Sequence, residues 1–354
     1  MNGFPEFSKE SKSLLKRCLT KEIYDKLKDL KTSNGFTLEQ AIKSGVENQD
    51  SSIGVYAGDR ETYSLFSPLF DKIILEYHKV DKNKKHIQNL NVKDLEISES
   101  GIDNERIIST RIRVGRNVKD FPLGTIISKK DREKIEKRVS NVLKNLDGEY
   151  KGSYYSLNNL TSKERKKLVG NHFLFKEGDR FLKSAGLNRD WPNNRGIFHN
   201  KNKTFLVWIN EEDQLRIISM QKGGNVKEVF YRLVRALEIL EEKIEFSFDE
   251  HLGYITSCPS NLGTAMRASV HIRLNYLKDN KEEFQKIAQK YNVQIRGFYG
   301  EHSKSDEKIY DISNKRRLGI TEVEGVQDMY NGVIAMIKKD EELGIEIEFN
   351  QKRG

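Results

Sequence analysis

Cysteine is scarce in this chain: Cys18 and Cys258 are the two in 354 residues. That excludes the disulfide-stapled class of small secreted domains. Long apolar runs are missing as well. No stretch approaches the ~20 apolar residues of a membrane span. The opening residues, MNGFPEFSKESKSLL, hold no apolar signal segment. The expectation is a cytoplasmic protein with no membrane partner. Zinc-ligand spacings and RNA-recognition signatures are absent too. The net charge of +9 therefore has a plainer reading. Lysines alternate with acids in KKDREKIEKR (129–138) and KDNKEEFQK (278–286), the pattern of solvated helix faces, and no nucleic-acid partner is expected. Neither common nucleotide cradle is present: there is no G-x-x-x-x-G-K-[ST] loop and no kinase-type glycine loop with an H-R-D partner.

What the chain does contain divides by texture. Its length exceeds the usual single core, so two unequal domains are expected. Residues 1–78 read as helical. Leu14, Leu15, Cys18 and Leu19 form one apolar stripe, and Ile23, Leu27 and Leu30 continue it. Thr37 and Gln40 fit a capping box. QDSSIGVYAGD (49–59) is a small-residue loop with one aromatic, Tyr56, and a further helix spans about 63–78. Polar residues dominate 79–104, as in a connecting segment.

From Glu105 strands and helices alternate. TFLVWINEEDQLRIISM (204–220) reads as a hairpin of two core strands with three consecutive acids, Glu211, Glu212 and Asp213, at its tip. In IISTRIRVGR (107–116), Ile108, Thr110, Ile112 and Val114 share one face, and Ser109, Arg111 and Arg113 the other. Arg216, Arg267 and Arg296 also lie in strand-like runs, and Arg267 and His271 share a face. Helices are expected near 129–145, 161–170, 227–243, 279–291 and 321–339. An arginine in a core strand needs an anion, because it does not deprotonate. Acids in these strands are few, so one external polyanion shared by all five arginines is the economical solution, and triphosphate fits. The acids Glu211, Glu212, Asp213 and Glu301, with the thiol of Cys258, would meet a cationic second substrate. The residues thus describe a phosphotransferase joining a polyanion to a cation.

CPSNLGT (258–264) resembles the signature of the phosphagen (guanidino) kinases, the family of arginine kinase and creatine kinase. STRIRVGR, HFLF, NEED, LRIISMQKGG, RASVHI and YDISNKRRLG resemble the same family in its order and spacing. The resemblance runs from about Ser11 to Lys338 and is strongest to arginine kinases. It implies an α+β fold: a small all-α N-terminal domain (1–90) with an acceptor loop at 49–59, a linker (91–104), and a catalytic domain (105–354). The catalytic domain would hold a central antiparallel sheet flanked by helices, of the glutamine synthetase-like kind.

The implied reaction is reversible transfer of the ATP γ-phosphoryl group to the guanidinium of L-arginine, giving phosphoarginine and ADP, with Mg²⁺, in a monomer or homodimer. Arg111, Arg113, Arg216, Arg267 and Arg296 match the family's phosphate-binding arginines, and His172 and His271 its residues beside the adenine. Glu212 and Glu301 match the carboxylates that clamp the guanidinium, and Cys258 the thiol beside it. Ser51 and Tyr56 match positions of the loop that holds the amino-acid end, with Ser52 in the same substrate-binding loop, and Asp50 and Arg180 a pair bridging the domains. No side chain is expected as a protein ligand to the metal. Neighbouring cations would favour a thiolate at Cys258, and the polar loop Phe298–Lys308 would act as a lid carrying Glu301. Three positions depart from the family's pattern: Gln214 where His is usual, Tyr299 where a loop Arg is common, and Ser52 where Gly is usual. Ser52 keeps taurocyamine, glycocyamine or lombricine open as acceptors. A protein-arginine kinase would share much of the catalytic region, but the helical segment with Tyr56 argues for a small acceptor. A non-enzymatic binding module would be expected to have lost an acid or an arginine from the set, and none is lost.

Overall fold

The computed structural model describes residues 3–81, 83–98, 101–102, 105–297 and 309–351. The first 78 residues form five helices: α1 Leu14–Cys18, α2 Lys21–Leu27, α3 Leu38–Glu47, α4 Glu61–Leu65 and α5 Ser67–His78. The capping box is present at α3. Gln40 donates its backbone N–H to Thr37 Oγ1 at 3.3 Å, and Thr37 donates its own to Gln40 Oε1 at 2.9 Å. The single helix expected over 63–78 is two. Pro68 has no N–H to donate and so sits in the first turn of α5, with the break at Phe66.

Ten strands follow, β1 Ile107–Arg116, β2 Gly152–Ser156, β3 Gly196–Asn200, β4 Phe205–Ile209, β5 Leu215–Lys222, β6 Phe248–Asp249, β7 Gly253–Tyr254, β8 Met266–Arg273, β9 Val293–Gly297 and β10 Ile309–Asn314. Eight of them make one sheet in the order β2-β3-β4-β5-β1-β8-β10-β9, with every pairing antiparallel. Six helices accompany the sheet: α6 Lys129–Lys144, α7 Ser162–Gly170, α8 Arg180–Ser184, α9 Val226–Glu241, α10 Lys281–Lys290 and α11 Glu322–Gln351. The sequence pattern ends the last helix at 339. It continues to Gln351 because no proline or capping glycine stops it, although its apolar stripe runs out and Ile345 lies 69% exposed.

Period-2 alternation gives the sheet two different faces. One packs Ile112, Val114, Val207, Ile217, Ala268, Val270 and Ile312 against the apolar stripes of α9 and α11, including Phe230, Leu237, Met329 and Val333. The other carries the arginines. The expected alternation in β1 slips once: the register shifts between Ile107 and Ser109, so Ile107 takes the core position and Ile108 is half-buried. The polar connection is not a free spacer, because Leu95, Ile97 and Ile102 are buried in this same core.

The helical segment has its own core, but that core is shared. Ile255, Cys258, Leu262 and Leu318 from the later part of the chain pack into it. His78, at the end of α5, is buried there with Nε2 2.9 Å from the Pro259 carbonyl oxygen. Among the described residues no helix is long and apolar enough to cross a membrane.

Burial pushes the His78 imidazole down to about 4, so the native protein holds it neutral. The unfolded chain binds a proton at this residue near pH 6.5. Stability from His78 is therefore present above about 6.5 and lost as pH falls toward 4. Urea midpoints at pH 7, 5.5 and 4.5 should fall steeply for the wild type and less steeply for His78→Gln. Parallel falls in the two proteins would show that His78 is charged in the fold.

Candidate active site

Four strands bring the five arginines onto one face. Arg113 on β1 lies directly across from Arg267 on β8, and Arg216 on β5 is paired with Trp208 on β4 and with Gly115 on β1. Arg296 on β9 faces Asp311 on β10, which in turn faces His271 on β8. Like charges opposed across a ladder repel, and here they do so out of water. Burial together with Arg216 and Arg267 pushes the Arg111 guanidinium down to about 10. Arg113 is held well below the usual arginine range by burial and by Arg216, Arg111 and Arg267.

The fold answers part of this repulsion from within, against the expectation that all five wait for an outside anion. Arg216 Nη1 donates to Glu211 Oε1 at 3.0 Å and Nη2 to Glu212 Oε2 at 3.2 Å. Arg267 Nη2 donates to Asp311 Oδ2 at 2.8 Å and its Nε to Ser313 Oγ at 3.1 Å. Arg296 donates to Gln294 Oε1 at 3.0 Å. The remaining two differ. Arg113 meets no carboxylate within ion-pair distance among the described residues, and Nε and Nη2 of Arg111 are buried without a hydrogen-bond partner. The indole of Trp208 lies beneath two of these cations, 5.2 Å from the Arg111 guanidinium carbon and 5.6 Å from that of Arg216. A face with a buried, unmatched fork at Arg111 and a half-buried guanidinium without a carboxylate at Arg113 can hold a polyanion.

At the edge of this face sits the tip of the β4–β5 turn, where Asn210 adopts a left-handed backbone conformation (φ 58°). The acids divide their work. Glu211 and Glu212 turn to Arg216. Asp213 turns inward and accepts from Asn117 Nδ2 and from the Ser257 N–H, both at 2.8 Å. Burial and then Asp213 push the Glu212 carboxyl up, to about 7. The tip is thus largely withdrawn from solvent, with Asp213 buried and Glu211 and Glu212 half-buried. Gln214 is a tie, not a contact to the site: its Oε1 accepts from the Val118 N–H at 2.7 Å and its Nε2 donates to the Pro122 carbonyl at 2.9 Å.

Cys258 lies beside Glu212, with Sγ 3.1 Å from Ser260 Oγ. The thiolate expected there is not supported. Burial, followed by the Glu212 charge, pushes the thiol up to about 12. Tyr56 is buried against the same group, since burial and then the charges of Cys258 and Glu212 raise its hydroxyl. His172 and His271 meet edge to face with ring centroids 6.2 Å apart, and Ser109 Oγ lies 3.2 Å from His271 Nδ1.

Ser51 and Ser52 stand apart. They line a separate cleft of about 790 Å³ with Lys12, Lys79, Lys84 and Lys315, which none of the five arginines enters. Asp50 pairs with Arg180, as the resemblance implied. Glu301, Tyr299 and the rest of 298–308 lie outside the described residues. Two members of the site escaped the sequence reading. Asp311 is the lone acid in IYDIS, and Trp208 is the aromatic that hairpin register sets opposite Arg216; both signals were available.

Comparison with known proteins gives this geometry a family. The model of the ATP:guanido phosphotransferase C-terminal catalytic domain matches residues 134–343, and that of the N-terminal domain matches residues 9–75. The chain belongs to the ATP:guanido phosphotransferases. It is 50% identical over 340 residues to an arginine kinase of Penaeus vannamei, covering 96% of this chain and 95% of that protein. It is 49% identical over 339 residues to the arginine kinase of Callinectes sapidus, with the same coverage. Among solved structures, a lombricine kinase superposes with a TM-score of 0.90 at 36% identity, over 98% of this chain and 97% of its own. The duplicated taurocyamine kinase from Schistosoma mansoni, with transition-state analogue components, matches with a TM-score of 0.88 at 43% identity over 94% of this chain and 47% of its own.

This ATP:guanido phosphotransferase holds Arg113 in its fold against burial and repulsion. Replacing it with Met should raise the ligand-free melting temperature by a degree or two, about 1 °C for each kcal/mol in a chain of this size. The same variant should lose most of the upward shift that saturating ADP gives the wild type. Thermal melts with and without ADP check both. A ligand-free melting temperature well below wild type would make Arg113 a structural residue.

Proposed function

We propose that this phosphotransferase moves the γ-phosphoryl group of ATP reversibly to the guanidinium of L-arginine. The observation that carries the reading is the pair Arg111 and Arg113, with no ion-paired carboxylate among the described residues, on the face that also presents Glu212. The arginine kinases of similar sequence support arginine as acceptor. The reading divides the chain into a helical acceptor domain (1–90), a linker (91–104) and a catalytic domain (105–354), a division in keeping with the two family matches.

Phosphoryl transfer leaves a protein little covalent chemistry, so positioning and charge do the work. In this reading Arg111, Arg113, Arg216, Arg267 and Arg296 neutralise the triphosphate and its transition state, and His172 and His271 flank the adenine. A guanidinium has a pKa above 12 and is a poor nucleophile until a base takes its proton. Glu212 is the base, because its raised carboxyl is matched to proton transfer near neutral pH. Entry of the guanidinium would displace Arg216 from part of its carboxylate pair and free it for phosphate. Tyr56 and Cys258 close the pocket around the acceptor. Glu301 is assigned to the guanidinium clamp by resemblance alone, as are Ser51 and Ser52 to the amino-acid end.

Magnesium belongs to this reading through the nucleotide. Among the described residues no group of three or more His, Cys, Asp or Glu could hold a metal ion, and Mg²⁺ in such sites is held chiefly by phosphates and waters. When bound it would supply positive charge that neutralises the phosphates. The fold's likeness to a lombricine kinase and a taurocyamine kinase supports a second reading, a different guanidino acceptor.

A coupled ADP-release assay with magnesium-ATP and arginine, creatine, taurocyamine, glycocyamine or lombricine should give arginine the highest kcat/KM. A clearly higher value for another acceptor would transfer the assignment to that acceptor. Glu212→Gln should lower kcat by roughly 10²–10⁴-fold, as loss of a general base does. Since the raised carboxyl is protonated below about 7, phosphorylation should decline as pH falls through that value in the wild type. The variant's residual rate should lack that acid limb, and an identical profile in both would remove Glu212 as the base.

A further inference from the structure

Of the three acids at the turn, Asp213 has no part in the reaction as proposed, yet it is the most buried, at 4% exposed. Its Oδ1 accepts the Ser257 N–H at 2.8 Å. The carbonyl of the same Ser257 accepts the Ala57 N–H at 2.7 Å, and Ala57 follows Tyr56. Ser257 Oγ donates back to the Glu212 carbonyl oxygen at 3.2 Å. One residue, Ser257, thus spans from the turn that holds Glu212 to the loop that holds Tyr56. Its far end is fixed from a third side, where Thr125 Oγ1 donates to the Ala57 carbonyl at 2.8 Å and the Leu123 N–H to the Gly58 carbonyl at 2.8 Å. Its near end is fixed by Asn117, which donates to Asp213 and to the Ile255 carbonyl and accepts from the Gln214 N–H.

The spot beneath Asp213 is made for it. A methyl group on Gly115 would stand 3.2 Å from Asp213 Oδ2, tighter than ordinary contact, so the strand next to Arg216 carries glycine where the carboxylate lies against it. Among the described residues, no other hydrogen bond joins a side chain of the acidic turn to the backbone leading to the acceptor loop.

We propose that Asp213 is a positioning residue that, through Ser257, sets the distance between Glu212 and Tyr56 and so the length of acceptor the site accepts. This rests on the reading of Glu212 and Tyr56 as the two walls of the guanidino pocket. A guanidinium seated at Glu212 leaves a fixed span to Tyr56 for the rest of the molecule. A misplacement of about 1 Å is enough to cost on the order of 10²-fold in rate. One methylene changes an acceptor's reach by about that much, and apolar complementarity alone discriminates it only about 10-fold to 200-fold. A rigid span therefore matters more to this choice than pocket chemistry does.

The test compares arginine, its homologue one methylene longer (homoarginine) and its homologue one methylene shorter, in wild type, Asp213→Asn and Asp213→Ala. Asn keeps the Oδ1 acceptor and Ala removes it. In Asp213→Ala the preference for arginine over both homologues should shrink about tenfold or more, chiefly through KM. Amide exchange at Ser257 and Ala57 should quicken by at least about tenfold through local opening. Asp213→Asn should restore both toward wild type. If Asp213→Ala does not fold, Thr125→Val, which frees the Ala57 carbonyl at the other end, should relax the preference in the same direction. A uniform loss of kcat across all three acceptors with the preference unchanged would overturn the proposal. So would normal exchange at Ser257 and Ala57 in Asp213→Ala. The wild type serves as the control for the underlying reading: failure to phosphorylate any of the three would overturn the acceptor assignment itself, whereas a wild type that prefers arginine beside an unchanged Asp213→Ala would overturn the inference alone.

Discussion

Repulsion between buried guanidinium groups is the constraint on which the rest of this structure depends. Placing Arg113 opposite Arg267 and within reach of Arg111 and Arg216 costs folding free energy that only anions or a π-face can offset. Nearly every unusual feature of the face answers that cost. Glu211 and Glu212 fold back onto Arg216, Asp311 is buried beside Arg267, and the indole of Trp208 underlies two cations at once. What the fold leaves unanswered is where a ligand's charge is worth most, above all at Arg111, whose buried Nε and Nη2 are already stripped of water and have little desolvation left to undergo. The same large sheet makes this possible. Its opposite face is an apolar core packed against long helices, which supplies the stability that the cationic face spends.

Three consecutive acids at one turn illustrate how position separates identical chemistry. Neighbouring side chains on a tight turn point in different directions, so Glu211 and Glu212 reach the sheet face while Asp213 reaches the chain behind it. The charge of Asp213 then acts on Glu212 through space, and its hydrogen bonds act on Ser257 through the backbone. Cys258 is held in the neutral thiol form by burial and then by the Glu212 charge, the opposite result to a cationic pocket.

Much of this was legible in the residues. Helix limits followed from caps and apolar stripes, as at Thr37 and along Val229 to Leu240, because both signals are local. The arginine face followed from period-2 alternation, which needs no knowledge of neighbouring strands. Sheet order was a different matter: nothing in the strand sequences says that β1 sits between β5 and β8, since that order is decided by packing across distant segments. What the residues do not give is which acid meets which arginine. Glu211 lies in a turn outside the ladders and Asp311 stands across from His271 and Arg296, so their pairs with Arg216 and Arg267 are set by side-chain reach in the folded sheet. The bulge at Ile107–Ser109 and the burial of Leu95 and Ile97 likewise depend on the partner surface rather than on the segment itself.

The shared core around α1 to α5 has a consequence for how such a chain can change over time. Ile255, Cys258, Leu262 and Leu318 fill space among those helices, and His78 and Arg317 hold the carbonyls of Pro259 and Ser260. The helical segment is therefore not a module that recombination could exchange with that of a relative. A chimera carrying a foreign segment through residue 78 would inherit a mismatched interior unless 255–262 and 317–318 travelled with it. Acceptor preference in this lineage should then have shifted by substitutions made in step on both sides of that core, and inheritance of the two segments as a linked pair is what the packing enforces.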